Sequence, residues 1–188
     1  MAAAVSNAHH SLPQARPSSA GQSHSDLLKV VRSDQPFKSA AISLVSLPPG
    51  ALFAKITEAT HAPRATWTSF QTGRDEHMEF NSDIVYINHS CDPNLVVDTA
   101  RMEVRVADDR HIAKGDELTW FYPSAEWEMA QSFPCECGTE RCLVAIRGSR
   151  YVEPEKLKGY FLNQHIHELM EEQGIDNTSR HMKKEASG

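Results

Sequence analysis

The sequence predicts a mainly β, α+β fold: small antiparallel sheets, with one helix near the C-terminal end. Three observations carry this. Short runs of branched or alternating apolar residues recur between Ser39 and Tyr122, with turn signals between them and no long helical pattern. A sustained amphipathic stripe appears only after Pro154. Four cysteines, three of them clustered, offer a cross-link between the middle and the later part of the chain.

Residues 1–25 hold Ala, Ser, His, Pro and Gln without aliphatic periodicity, and read as a disordered tail in which His9 and His10 are solvated. A domain spans 26–123. Ser39 to Leu47 reads as a strand, Pro48-Pro49-Gly50 as a turn, and Ala51 to Ile56 as the returning strand. Thr66 to Thr72 alternates and makes a third strand, whereas Gly73 to Glu79 is polar and turn-like. Met102 to Val106 alternates cleanly, Asp108-Asp109 turns, and Glu117 to Tyr122 resumes β character. A cysteine-bearing segment follows over 124–150, where Ser124 can cap a short helix carrying Trp127 and Met129. Over 151–174 a helix is expected from Pro154 to Gln173. Leu157, Tyr160, Phe161, Ile166, Leu169 and Met170 form its stripe, and Gly174 its stop. Residues 175–188 are polar and read as a flexible tail.

A chain of 188 residues with 40% hydrophobic content supports one modest core. No apolar run approaches a membrane span. A net charge of −6 disfavours direct nucleic-acid binding, which needs a basic face, and suits a basic peptide partner. Residues 1–25 lack the basic and apolar regions of a secretory signal, so an intracellular site, nuclear or cytoplasmic, is expected.

The clustered thiols are Cys135, Cys137 and Cys142. A tetrahedral zinc site needs a fourth ligand, and Cys91 is the one other thiol. Two disulfides are the alternative. A reducing compartment and a tight Cys-x-Cys favour metal. A closed four-thiolate site leaves no open position, so its zinc is structural. Asn88, Asp92 and Asn94 suit a tight turn around Pro93, or, for Asn88, contact with a polar ligand. Tyr122 by residue type is an aromatic on a β surface.

Taken together, Asn88-His89-Ser90-Cys91-Asp92-Pro93-Asn94, then Lys114 to Tyr122 (KGDELTWFY), then Cys-x-Cys-Gly-x-x-x-Cys resemble a SET domain followed by its post-SET zinc segment. The clear resemblance covers about residues 80–148, with 37–56 matching more loosely. It implies a mostly β fold with a pseudoknot, in which the segment around Asn88 threads under a loop near Tyr122. It implies S-adenosylmethionine as cofactor, structural Zn2+, and a lysine side chain as methyl acceptor. Asn88 and His89 would contact the cofactor, Tyr122 would lie beside the transferred methyl as cofactor-binding and catalytic residue, and Asn94 would be structural. Cys91, Cys135, Cys137 and Cys142 would hold the zinc beside the cofactor. Methyl transfer from a sulfonium needs an unprotonated amine and an in-line approach, so placement is most of the catalysis. Oxygen atoms that contact the polarised methyl hydrogens add to it.

The chain departs from the family pattern at identifiable places. Pro36-Phe37-Lys38-Ser39-Ala40-Ala41 stands where Gly-x-Gly is usual, Phe121 where Asp precedes the tyrosine, and Leu143 where Arg follows the last cysteine. The stretch from Ile56 to Phe80 is short, which suits a shallow acceptor site and admits a small-molecule acceptor in place of a lysine-bearing peptide. The expected function is a SET-type S-adenosylmethionine-dependent methyltransferase acting on a protein lysine. The alternatives are a SET scaffold turned to other, biosynthetic chemistry and a non-catalytic zinc-stabilised interaction module.

Overall fold

A computed structural model describes residues 24–35 and 37–174. The tail expected over 1–25, apart from His24 and Ser25, lies outside them, as do His9, His10 and the tail over 175–188. In chain order the strands are β1 (Leu28–Val31), β2 (Ala40–Ser43), β3 (Leu52–Lys55), β4 (Ala59–Ala62), β5 (Ser69–Gln71), β6 (His77–Phe80), β7 (Asn88–His89), β8 (Leu95–Asp98), β9 (Glu103–Val106), β10 (Thr119–Trp120), β11 (Phe133–Pro134) and β12 (Ala145–Ile146). Two helices follow, α1 (Pro154–Leu157) and α2 (Gln164–Glu172). The strands form four small sheets, ordered β1-β2, β3-β9-β8-β10-β7, β4-β6-β5 and β11-β12.

Pairing is antiparallel except at β10, which runs parallel to both of its neighbours. Strands β7 and β8 are close in sequence, yet the later β10 lies between them, with Thr119 opposite Asn88 and Trp120 opposite both His89 and Leu95. The Asn94 amide closes this crossing. Its Nδ2 donates to the Glu117 carbonyl (2.8 Å), and its Oδ1 accepts the Thr119 N–H (2.9 Å). The result is the pseudoknot, and it holds the end of β10, and so Tyr122, against Asn88 and His89.

The Pro48-Pro49-Gly50 turn does not close a hairpin. β2 pairs with β1, and β3 with β9. The alternating Glu103–Val106 run buries Val104 and Val106 and captures β3 on one edge and β8 on the other. The polar stretch Gly73 to Glu79, expected as a turn, contains most of β6, the central strand of the three-stranded sheet. The helix expected from Ser124 does not form. Tyr122–Ser124 is a single 3₁₀ turn, after which the Ser149 N–H takes the Glu126 carbonyl. The helix expected from Pro154 to Gln173 is two helices. Lys158 turns extended (ψ 133°), and Gly159 is left-handed (φ +85°).

Phe70 and Phe80 stack at 4.1 Å and Phe70 meets Trp120 at 5.4 Å, so aromatic packing joins the three-stranded sheet to the five-stranded one. Leu28, Ile84, Ile87, Leu95, Val97 and Leu118 complete this main core. Each such side chain stabilises the fold by roughly 1.5–3 kcal/mol. A second cluster gathers Leu157, Leu162, Ile166 and Met170 over Phe121. Asn163 rivets it to the main core: Nδ2 donates to the Val97 and Ser124 carbonyls, and Oδ1 accepts from the Thr99 N–H and hydroxyl. The C-terminal helices are therefore part of the domain's packing.

Candidate functional site

The antiparallel arms β11 and β12 bring Cys135 and Cys137 back to Cys142, and the turn after β7 delivers Cys91 beneath them. The four Sγ atoms lie within 4.8 Å of one another, with Cys91 and Cys135 at 3.8 Å. A tetrahedron with Zn–S bonds of about 2.3 Å has edges near 3.8 Å, so the set fits a closed four-thiolate metal site. Hydrogen-bond donors already point at the sulfurs. The Leu143 N–H meets Cys91 (3.3 Å), the Val144 N–H meets Cys142 (3.4 Å), and the Thr139 hydroxyl lies 3.3 Å from Cys137. Such donors favour thiolates over thiols. Burial pushes the Cys91 thiol up to about 11. Cys137 goes the other way: burial opposes ionisation, but the hydrogen bonds from Thr139 prevail and draw it down to about 6.

The donors come from an unusual backbone. Val144 is left-handed (φ +65°) and 73% exposed. An N–H from Ala145 to the Leu143 carbonyl (2.7 Å) closes a tight three-residue turn around it. A β-branched residue there is strained, and its side chain packs on little. Val144→Gly is expected to raise stability by about 1 kcal/mol without changing metal content. A urea midpoint lower than that of the parent protein would show that the isopropyl group matters.

His89 sits between this site and Tyr122. Its Nδ1 accepts the Tyr122 N–H (3.2 Å), so in the neutral ring Nε2 carries the proton and donates to Cys91 Sγ (3.3 Å). Burial lowers the imidazole to about 3, which keeps it neutral. Both ring nitrogens are engaged, and His89 offers a ligand its ring face and main chain. Asn88 Nδ2 donates to the Ser39 carbonyl (3.0 Å) and to Glu117 Oε1 (3.2 Å), joining β7 to the loop that replaces Gly-x-Gly. Tyr122 donates its hydroxyl to the Ile87 carbonyl (3.1 Å). Its ring lies among Trp120 (4.8 Å), His89 (5.2 Å) and Phe133 (6.0 Å). Burial, reinforced by the charge of Glu126, holds the phenol well above its ordinary range, so it stays protonated.

The structure thus brings Asn88, His89, Tyr122 and the four cysteines into one neighbourhood. It adds residues that sequence reasoning did not single out for this site. Tyr160 stacks on Phe121 (3.8 Å, 8° between planes) and donates its hydroxyl to the Cys91 carbonyl. Arg141 lies over the Tyr160 ring at 4.1 Å. The aromatic at Phe121, in place of Asp, is explained by this docking of the C-terminal segment. Lys38, in the loop before β2, pairs with Glu136, between two of the cysteines. Glu126 is buried beside Tyr122 and bonds Gln71.

The SET domain family model matches residues 13–123. Methyltransferase flvH of Aspergillus flavus is 50% identical over 148 residues, which cover 79% of this chain and 83% of that protein. The H3 lysine-36 specific histone-lysine N-methyltransferase of Candida albicans is 37% identical over 67 residues, 34% of this chain and 8% of that protein. A crystal structure of KRYPTONITE overlays with a TM-score of 0.48 at 23% identity, covering 63% of this chain and 29% of the other.

Proposed function

The chain belongs to the SET-domain family, and we propose that it transfers a methyl group from S-adenosylmethionine to an amine, by default the side chain of a lysine in a protein. The observation that carries this reading is the crossing of β10 between β7 and β8, which sets the Tyr122 backbone and ring against His89 and the tyrosine hydroxyl on the Ile87 carbonyl, just before Asn88.

The donor set fits the cofactor. Asn88 Nδ2 ties β7 to the Ser39 carbonyl and Glu117 at the edge of the site, and Ser39, Ala40 and Ala41 keep the preceding loop small. Lys38 and Glu136 supply opposite charges suited to a zwitterionic amino-acid end. When bound, the cofactor supplies an electrophilic methyl on a sulfonium. The chain's own part is placement. The Ile87 carbonyl occupies the Tyr122 proton, which leaves the phenol oxygen's lone pairs for polarised methyl hydrogens. His89 fixes the Tyr122 backbone through Nδ1. Cys91, Cys135, Cys137 and Cys142 would hold a structural zinc, which would pin the later segment over the site. The shortness of the segment carrying β4, β5 and β6 also suits a small amine as acceptor. Among the described residues no helix is long and apolar enough to cross a membrane.

Calorimetric titration of S-adenosylmethionine into zinc-loaded protein should give one-to-one binding. Absence of binding by folded, zinc-containing protein overturns the proposal. Tyr122→Phe should lower transfer about 10²-fold while leaving zinc content unchanged.

A further inference from the structure

We infer that Glu126 receives the acceptor amine as an ammonium ion and takes its proton, making it a catalytic residue of the transfer that the SET reading assigns to this chain, on which the inference rests.

Glu126 is only 6% exposed. It follows Tyr122 by one turn, with its N–H donating to the Tyr122 carbonyl (3.0 Å), and its own carbonyl is pinned by the Ser149 N–H (2.8 Å). Carboxylate Oε1 accepts the Gln71 N–H (2.9 Å), and Gln71 reciprocates by accepting the Trp127 N–H (2.8 Å) on its side-chain oxygen. A reciprocal latch thus holds this side chain between the three-stranded sheet and the tyrosine turn.

Among the described residues no cation pairs with it. The ion pairs among the described residues do not include Glu126. On its own turn the titratable neighbour is Tyr122, which feels the Glu126 charge. From α2 come His165, whose Nε2 meets the Ala125 carbonyl at 2.7 Å, and Glu168. From β6 comes His77, paired in register with Gln71. Burial lowers both imidazoles, so they stay neutral near pH 7. The nearby Arg74 guanidinium is taken by Asp75 and Glu172. A buried carboxylate without a cation is costly, and such groups concentrate where a ligand supplies the missing charge.

Trp120, Phe133 and His89 gather aromatic faces around Tyr122. The Tyr122 phenol feels the Glu126 charge, and aromatic faces with a carboxylate within electrostatic reach suit an alkylammonium. Burial pushes Glu126 up to about 7, so it can hold the ammonium as an anion and accept a proton at neutral pH. The step balances. One N–H proton passes to a Glu126 oxygen, leaving the nitrogen lone pair. That pair forms the new C–N bond as the S–CH3 bond breaks, and the broken bond's electrons remain on sulfur as a thioether. The product is a methylammonium, and the Glu126 proton leaves to solvent.

The test is a pH titration of the Glu126 carboxyl carbon by NMR in full-length, zinc-loaded protein, assigned through the backbone. It is run alone, with n-butylammonium chloride, and with n-butanol. The midpoint should fall by about one unit with n-butylammonium, because a nearby cation favours the carboxylate, and should not move with n-butanol. A midpoint indifferent to n-butylammonium overturns the inference. Neither result depends on cofactor binding, so failure of the methyltransferase reading is seen separately in the calorimetric titration. As a fold control, Glu126→Gln keeps an oxygen for the Gln71 N–H and should melt no lower than the parent protein at pH 8. A midpoint shift that persists at another glutamate in this variant, with Glu126 gone, would also overturn the assignment.

Discussion

Stripping the metal from the four-cysteine site, or replacing Cys137 with serine, is expected to release the segment between Trp127 and Ile146 and to cost the protein on the order of 5 kcal/mol. The segment has little else to hold it. Its residues from Met129 to Ala145 are exposed or only half-buried, and β11 and β12 are two residues each. The cross-link from Cys91 to Cys135 spans 44 residues, a loop whose freedom returns when the metal leaves. The effect should reach the tyrosine. His89 bonds Cys91 Sγ on one side and the Tyr122 N–H on the other, so loosening Cys91 loosens the ring that fixes Tyr122. The check is a thermal melt with and without a strong zinc chelator, with bound metal quantified alongside. Acidification should release the metal too, because protons compete for the thiolates. A chelated protein that melts where the loaded one does would mean that the four sulfurs are buried thiols with no metal between them.

What the sequence made legible was local chemistry. The cysteine spacing, the Asn88–Asn94 run and Tyr122 announce themselves by residue type and order, and the structure gathers them in one place. What stayed hidden depends on distant partners. Glu126 is positioned by Gln71, 55 residues away, and Tyr160 by Cys91, 69 residues away. Neither separation leaves a periodic trace. Strand β6 was unreadable because His77, Met78 and Glu79 are all half-buried in a narrow sheet paired on both edges, so no clean alternation arises. The Pro-Pro-Gly turn suggested a hairpin because turn chemistry reports a reversal and not the partner of the returning strand. The helix after Pro154 read as continuous because apolar residues keep a helical spacing across Gly159. Packing of Tyr160 on Phe121 and the Asn163 rivet instead divide it.

Gly148→Ala should be among the most damaging single substitutions, at about 4 kcal/mol, the sum of backbone strain and a steric conflict that cannot relax cheaply. Gly148 is left-handed (φ +110°), and a Cβ built on it would lie 2.7 Å from Glu128 Cα and closer still to the Trp127 carbonyl. These are backbone atoms, so the conflict moves the chain. What it would move is the turn that carries Glu126. The close approach lets the Ser149 N–H reach the Glu126 carbonyl (2.8 Å), the Arg150 N–H reach the Trp127 carbonyl (3.1 Å), and the Ser149 hydroxyl reach Pro123. Stability and activity should therefore fall together. Gly138→Ala supplies the comparison, because Gly138 has a similar positive φ (+68°) but nothing within 4 Å of a built Cβ. It should cost only about 1 kcal/mol, the conformational penalty alone. Urea melts of the two variants separate crowding from conformation. Equal losses would mean that the backbone at 127–128 gives way, and that the turn carrying Tyr122 and Glu126 is held by something other than this contact.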